Sequence, residues 1–257
     1  MRILTLIPDD SLRALRAAIA PSDLAERHPD AASIAAVIND GESVDAIVID
    51  PTIVNEADWV RLRPMLASPD LPVLLYAQLT ETSVQRIVAA SGIGVHEVLL
   101  RNVDDDPAAI RRRLETLGAP APPARVLAGL AEHLGELPAQ LQGVTVPLFC
   151  AGPVPRWADD VARAAGIPRR SIDRWMSRAG LAGTATLLDV ARLARVWAPI
   201  VDRGLPPAEV AVTGGFRRAR MLAGHARRIV DCSPTLLGTR LTADEFVRRL
   251  VRHARRD

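Results

Sequence analysis

The sequence predicts an α/β domain with a doubly wound, five-stranded parallel sheet, followed by an all-α domain. Three observations support this fold class. Residues 1–117 alternate short apolar runs with amphipathic segments, whereas residues 151–257 show helical spacing interrupted by turn glycines. The chain has 257 residues, which is enough for two domains that each bury a core.

Charge divides the chain in the same way. All 32 basic residues are Arg, and the formal net charge is +2. Residues 1–117 contain 11 Arg and 18 Asp or Glu, a net charge of −7, whereas residues 151–257 contain 20 Arg and 10 Asp or Glu, a net charge of +10. This split predicts an acidic domain joined to a basic domain that binds a polyanion.

Composition excludes several other classes of protein. No uninterrupted apolar stretch approaches the ~18 residues of a membrane helix, and Asp9-Asp10 interrupts the first apolar run too early for a signal peptide. Cys150 and Cys232 lack metal-ligand spacing. We therefore expect a cytoplasmic protein with two reduced thiols and no membrane partner.

The strands of the first domain are predicted from β-branched apolar runs. A weaker strand is expected at 22–27 between the first two of these runs. Alternation with helices predicts βαβ units and helices on both faces of the sheet. The four apolar runs are 3–8, 45–51, 72–77 and 95–100. The predicted helices are 11–20, 30–39, 55–67, 81–91 and 107–117.

Three carboxylates follow predicted strands. Asp9 and Asp10 come after the first strand and Asp50 ends the third, so all three are expected at the carboxyl edge of the sheet. Clustered carboxylates repel one another unless a hard divalent cation lies among them, so such a cation is the ligand that this arrangement suits.

This arrangement resembles the receiver domain of bacterial response regulators, a flavodoxin-like fold, over residues 1–117. The resemblance implies that Asp50 is the phosphoryl acceptor and that Asp9, Asp10 and Asp50 hold Mg²⁺. It also implies a homodimer, and a histidine kinase or other signalling protein as partner.

The sequence departs from the receiver pattern at two positions. Ala77 stands where a Ser or Thr normally contacts the phosphoryl group, with Tyr76 adjacent, and Arg101-Asn102 replaces Lys-Pro. Arg retains the charge of Lys but lacks its compact geometry.

The carboxylates also have purely structural interpretations. Asp9 or Asp10 can cap the helix that begins near Ser11, and Asp50 before Pro51 can end a strand. Two hypotheses stay open: a degenerate receiver used for packing or dimerisation, and a phosphorylatable one.

A connector spans residues 118–150. Residues 118–125 are rich in Pro and predict a semi-rigid spacer. The following helix has one apolar face, so it packs on either domain or pairs with its copy in a dimer. The apolar residues of that face are Val126, Leu127, Leu130 and Leu134.

The basic domain begins with a predicted helix-turn-helix unit. Residues 157–166 form a short helix closed by Gly166, and residues 168–180 form the second helix. Ile172, Trp175 and Met176 are predicted to face inward, which leaves a polar row outward. Arg provides a planar fork for guanine and phosphate, and Asp can accept from cytosine or hold a neighbouring Arg. The predicted DNA contacts of this unit are Arg169, Arg170, Ser171, Asp173, Arg174 and Ser177.

The order of residues from 151 to 239 resembles the AraC-type DNA-binding domain, which contains two helix-turn-helix units. The long helix predicted at 184–202 is ~28 Å long at 1.5 Å per residue, comparable with the ~34 Å between successive major-groove faces.

The second unit of this resemblance contains a first helix at 206–212, a turn at 214–216 and a recognition helix at 217–229, with Met221 and Leu222 inward. Its predicted phosphate contacts are Arg217, Arg218, Arg220, Arg227 and Arg228.

The second unit departs from the family pattern at three positions. Gly224 replaces Arg, Ala226 replaces an aromatic core residue, and Asp231 replaces Gly. A last helix is predicted over Ala243–Arg256, with Arg residues that are either solvated or in contact with phosphate.

Together these features predict a sequence-specific, double-stranded DNA-binding transcription regulator with a receiver-like input or dimerisation domain. An enzyme is not expected, because the five His are scattered and no Gly-rich phosphate loop follows a strand. The alternative is a protein–protein adaptor built on an inert receiver, which would not bind DNA.

Overall fold

We analysed a computed structural model of the chain. It describes all residues except 67–70, 92–93, 102–105, 116–120, 151–153 and 257. Contacts divide the chain into two units: a sheet unit, Met1–Ala124 with Cys150, and a helical unit, Arg125–Phe149 with Pro153–Asp257. No helix among these residues has both the length and the apolarity to cross a membrane.

The sheet unit contains a five-stranded, all-parallel sheet in the order β2-β1-β3-β4-β5. The predicted fold class is thus confirmed, including the weaker strand near residue 24. The strands are β1 (Arg2–Leu6), β2 (Leu24–Arg27), β3 (Ala46–Ile49), β4 (Val73–Gln78) and β5 (Glu97–Arg101).

Helices cover the sheet. All four residues of β3 are buried, as expected for a central parallel strand with both faces packed. Tyr76 on β4 is 1% exposed and belongs to the apolar core with Ile3, Leu15 and Ile110. The helices of this unit are α1 (Asp9–Ala18), α2 (Ala31–Asn39), α3 (Glu56–Leu66), α4 (Glu81–Ser91) and α5 (Pro107–Glu115).

The helical unit begins within the connector helix, α6 (Pro122–Gly135). The spacer predicted for 118–125 is therefore wrong from Pro122 onward, because Pro is compatible with the first turn of a helix; residues 118–120 lie outside the described residues. The remaining helices are α7 (Ala139–Thr145), α8 (Ala158–Ala165), α9 (Arg169–Arg178), α10 (Thr184–Trp197), α11 (Pro207–Thr213), α12 (Ala219–Val230) and α13 (Ala243–Ala254).

Helix α10 is the centre of the helical unit. It packs against α13, α12 and α8, and the rings of Trp197 and Phe246 lie 4.7 Å apart. The helix predicted over 184–202 is present, but its last turn, Ala198–Asp202, is π-helical. Helix α10 thus packs against helices of both predicted helix-turn-helix units.

The connector helix packs within the helical unit, which the sequence left open. A Cβ on Gly129 would lie 2.7 Å from Cγ2 of Val251 on α13, so the two helices are in close contact. The Nδ1 atom of His133 lies 2.8 Å from the carbonyl oxygen of Ala179, at the end of α9. Helix α6 thus contacts both the last helix and the first predicted recognition helix.

Candidate nucleic-acid interface

The first helix pair consists of α8 and α9, joined by a tight turn. Gly166 has φ +63°, a left-handed conformation that favours glycine. Ile172 and Met176 are fully buried as predicted, but Trp175 is 39% exposed, so its inward prediction is wrong. The buried stripe of this short helix is narrow and runs through 172, 176 and 179, which leaves position 175 on its edge. The guanidinium of Arg178 lies 5.3 Å from the Trp175 ring centroid.

Two arginine side chains are exposed on the outer face of α9. Arg170 and Arg174 are exposed and one helical turn apart, and neither has an ion-pair partner among the described residues. Arg169 is different, because its guanidinium lies 3.1 Å from Asp159 and 3.7 Å from Asp173. Arg170 and Arg174 are therefore the residues of α9 best placed to bind an anion.

Two of the other predicted contacts of α9, Asp173 and Ser177, have structural partners. Asp173 Oδ1 accepts hydrogen bonds from the backbone N–H and the hydroxyl of Thr184, at 3.0 and 2.8 Å. The N-cap residue of α10 is Gly183, which has no side chain, so Asp173 supplies the cap from another helix. Ser177 Oγ accepts a hydrogen bond from Arg256, and Ser171 is partly buried.

The second helix pair consists of α11 and α12. Its turn contains Gly215 at φ +84°, and the N–H of Phe216 donates to the carbonyl of Ala211 at 2.7 Å. Leu222 and Ala226 are fully buried, and Met221 is partly buried. The last turn of α12 also contributes to the core, through Ile229 and Val230.

The arginines of the second pair fall into two groups. Arg217 and Arg218 precede α12, and Arg218 is its N-cap, so the predicted helix start at 217 is two residues early. Arg220 and Arg227 are exposed on α12 itself, without an ion-pair partner among the described residues. Arg228 instead donates to Asp189 on α10 at 2.8 Å, so it braces α12 against the long helix.

A charged pair on α10 holds both helix pairs, and sequence reasoning missed it. Asp189 accepts from Arg228 and lies 3.1 Å from His225 Nδ1, both on α12. Arg192, only 8% exposed, donates to the carbonyl oxygens of Pro155 and Arg156 before α8, at 2.9 and 2.5 Å. Burial lowers the pKa of Arg192. The only local signal for this brace is a charged pair within an apolar helix.

The predicted carboxylate cluster of the sheet unit has a different arrangement. Asp9 pairs with Arg27 at 2.8 Å, and Asp10 pairs with Arg101 at 2.6 Å, which lowers the pKa of Asp10. Asp50 is 3% exposed, and its Oδ1 accepts from the backbone N–H and the hydroxyl of Thr52, at 2.8 and 2.6 Å.

These contacts do not bring the predicted Mg²⁺ ligands together. In the described part of the chain, no group of three or more His, Cys, Asp or Glu is arranged to hold a metal ion. Asp9, Asp10 and Asp50 instead each have their own hydrogen-bond or ion-pair partner. Ala77 and Tyr76 are buried in β4, and Asn102 lies outside the described residues.

Comparisons with protein-family models, with curated proteins and with solved structures found no match for this chain. The resemblance to receiver and AraC-type domains therefore stays a prediction from the residues.

Proposed function

We propose that this chain is a cytoplasmic, sequence-specific double-stranded DNA-binding transcription regulator. One observation carries the proposal: two helix pairs, each with a glycine in its turn, are braced on α10, and each presents exposed arginines on its second helix that have no ion-pair partner among the described residues. These are Arg170 and Arg174 on α9, and Arg220 and Arg227 on α12. An exposed arginine row at the second helix of such a pair suits the major groove and the phosphates beside it.

The brace supports this function physically. A side chain that reads a base must be held in a fixed position, and fixed positions come from contacts behind the helix. Asp173 caps α10 from α9, and Asp189 holds α12 through Arg228. The arginines on the outer face are thus presented by helices whose inner faces are tied to a common support.

The test is duplex binding by the full chain. A fluorescent mixed-sequence duplex is titrated at several salt concentrations, and log Kd is expected to rise linearly with log salt, by about 0.9 for each phosphate contact. Absence of salt-dependent binding would overturn the proposal and favour the adaptor.

Arginine variants then assign the face, using operator fragments selected from a random duplex library. Arg170→Ala and Arg174→Ala are expected to weaken binding ~5- to 150-fold if each reads a base, and to relax preference at one position. Arg61→Ala is the control, because Arg61 is exposed on α3 of the sheet unit and already paired with Asp58. An equal loss in all three variants would contradict the assigned face.

For the sheet unit we propose a dimerisation or packing role in a homodimer, with a degenerate acceptor site. The supporting observation is that Asp10, Asp9 and Asp50 are each engaged by other side chains. Incubation with Mg²⁺ and acetyl phosphate is expected to leave the intact mass unchanged. A mass gain of one phosphoryl group that Asp50→Asn abolishes would instead establish phosphorylation and a kinase partner.

A further inference from the structure

An exposed tryptophan lies between two arginines where the two helix pairs meet. Trp157, the N-cap residue of α8, is 50% exposed. The guanidinium carbon of Arg217 lies 5.0 Å from the centroid of its ring, and that of Arg156 lies 5.8 Å away. Arg217 comes from the turn before α12, so this junction patch of Arg156, Trp157 and Arg217 joins residues of both helix pairs.

The junction patch is fixed from behind. The carbonyl oxygen of Arg156 accepts from the buried guanidinium of Arg192 at 2.5 Å. The same side chain abuts the second turn, because a Cβ on Gly215 would lie 3.3 Å from Arg192 Nε. One buried residue therefore lies against the backbone at both edges of the patch.

The charge around the ring favours an anionic partner. The backbone N–H of Trp157 donates to Asp160 at 2.9 Å, and that carboxylate is offset by Arg163 at 3.0 Å. Arg218, next to Arg217, is also exposed. Guanidinium groups remain charged when they stack on an aromatic ring, so both keep donors for phosphate.

We propose that the junction patch binds the sugar-phosphate backbone of duplex DNA, independently of base sequence. The bound stretch of backbone lies between the two DNA segments that the two helix pairs contact. This inference rests on the proposed function. The N-terminal end of a recognition helix enters the groove, so Arg217, which precedes the N-cap residue of α12, lies where the flanking backbone passes. The indole packs against a sugar, and the two guanidinium groups contact the phosphates on either side.

The first test observes Trp157 directly in the full chain. Uniform 5-fluorotryptophan labelling gives a fluorine resonance for each of the four tryptophans, and Trp→Phe variants assign them. Saturation with a 30-base-pair mixed-sequence duplex at low salt is expected to shift the Trp157 resonance and to reduce its solvent-isotope shift. Trp197, 5% exposed in the core, is the internal reference. An unchanged Trp157 resonance in the bound state would overturn the inference while duplex binding itself stands.

The second test measures the contribution to affinity. Arg217→Ala is expected to lower the salt slope by about 0.9, equally for unrelated duplexes. Trp157→Ala is expected to weaken binding ~5- to 10-fold, with Trp157→Phe intermediate, on the scale of an aromatic contact of ~1–1.4 kcal/mol. Arg248→Ala on α13, an exposed arginine paired with Glu245, is the control.

The two tests separate the possible failures. If the wild-type chain binds no duplex, both this inference and the proposed function are wrong. If duplex binds but Trp157→Ala weakens it without any DNA-dependent change at Trp157 in the wild type, the patch is only an internal brace and the inference is wrong. Thermal unfolding of each variant identifies those whose loss of affinity comes from a loss of fold.

Discussion

Gly224 lies in the middle of α12 and is the clearest target for stabilising the helical unit. It is exposed, and a Cβ built on it meets no atom within 4 Å. Gly in a helix interior is ~0.8–1.0 kcal/mol less favourable than Ala. Since no contact is lost and none is strained, Gly224→Ala is expected to raise the free energy of unfolding of this unit by about 1 kcal/mol.

Gly214 is a matched control of opposite sign. It has an ordinary φ of −75°, so Ala is conformationally acceptable there. Its Cβ, however, would lie 2.7 Å from Cγ1 of Val196 and 3.1 Å from the carbonyl oxygen of Val210. Overpacking of this kind costs ~1–3 kcal/mol, so Gly214→Ala is expected to destabilise the same unit.

Urea unfolding followed by far-ultraviolet circular dichroism measures both variants. With m of ~1–3 kcal/mol/M, a gain of about 1 kcal/mol raises the midpoint of the helical unit by ~0.3–1 M. The steepness of the transition is expected to stay constant. A midpoint for Gly224→Ala at or below that of the wild type would refute the reasoning, as would a stabilised Gly214→Ala.

Three further perturbations have directions that the structure determines. Asp231→Gly is expected to stabilise the helical unit by ~1 kcal/mol, because Asp231 ends α12 with φ +49°, a left-handed conformation that favours glycine; thermal unfolding measures it, and a lower midpoint contradicts it. Asp173→Ala is expected to lower the free energy of unfolding by ~1–2 kcal/mol, even without DNA, because the α10 cap at Thr184 is lost. Urea unfolding measures this, and an unchanged midpoint would instead favour the predicted DNA contact of Asp173. His96 is 2% exposed, accepts from the Val73 N–H at 3.1 Å, and has its pKa lowered by burial from 6.5. As pH falls, the imidazole of His96 is therefore protonated in the unfolded chain before it is protonated in the folded chain. The sheet unit is expected to lose stability as pH falls below about 6.5. Urea midpoints at pH 7.5 and 5.5 measure the loss, and His96→Gln should reduce it.

The order of elements was predictable from local sequence. Alternation of β-branched runs with helical spacing identified four strands and left room for the weaker β2 between the first two, and the glycine at 166 marked the first turn. These features depend on neighbours within one or two turns of the chain, which hydrophobic periodicity reports directly. At 231 the sequence indicated only that Asp stands where the resembled pattern has Gly; the left-handed backbone there is seen in the structure.

The partner of each charged side chain depended on the tertiary structure. Asp10 and Arg101 are 91 residues apart, and Arg228 and Asp189 are 39 apart, yet each pair meets within 2.8 Å. The sequence showed an arginine-rich chain half and a carboxylate-edged one, but an exposed Arg and a bracing Arg have the same local spacing. Charge balance and periodicity by themselves determined the fold class and the polyanion hypothesis. Only the folded chain decided which arginines are free to bind, because an ion pair forms between side chains that folding alone brings together.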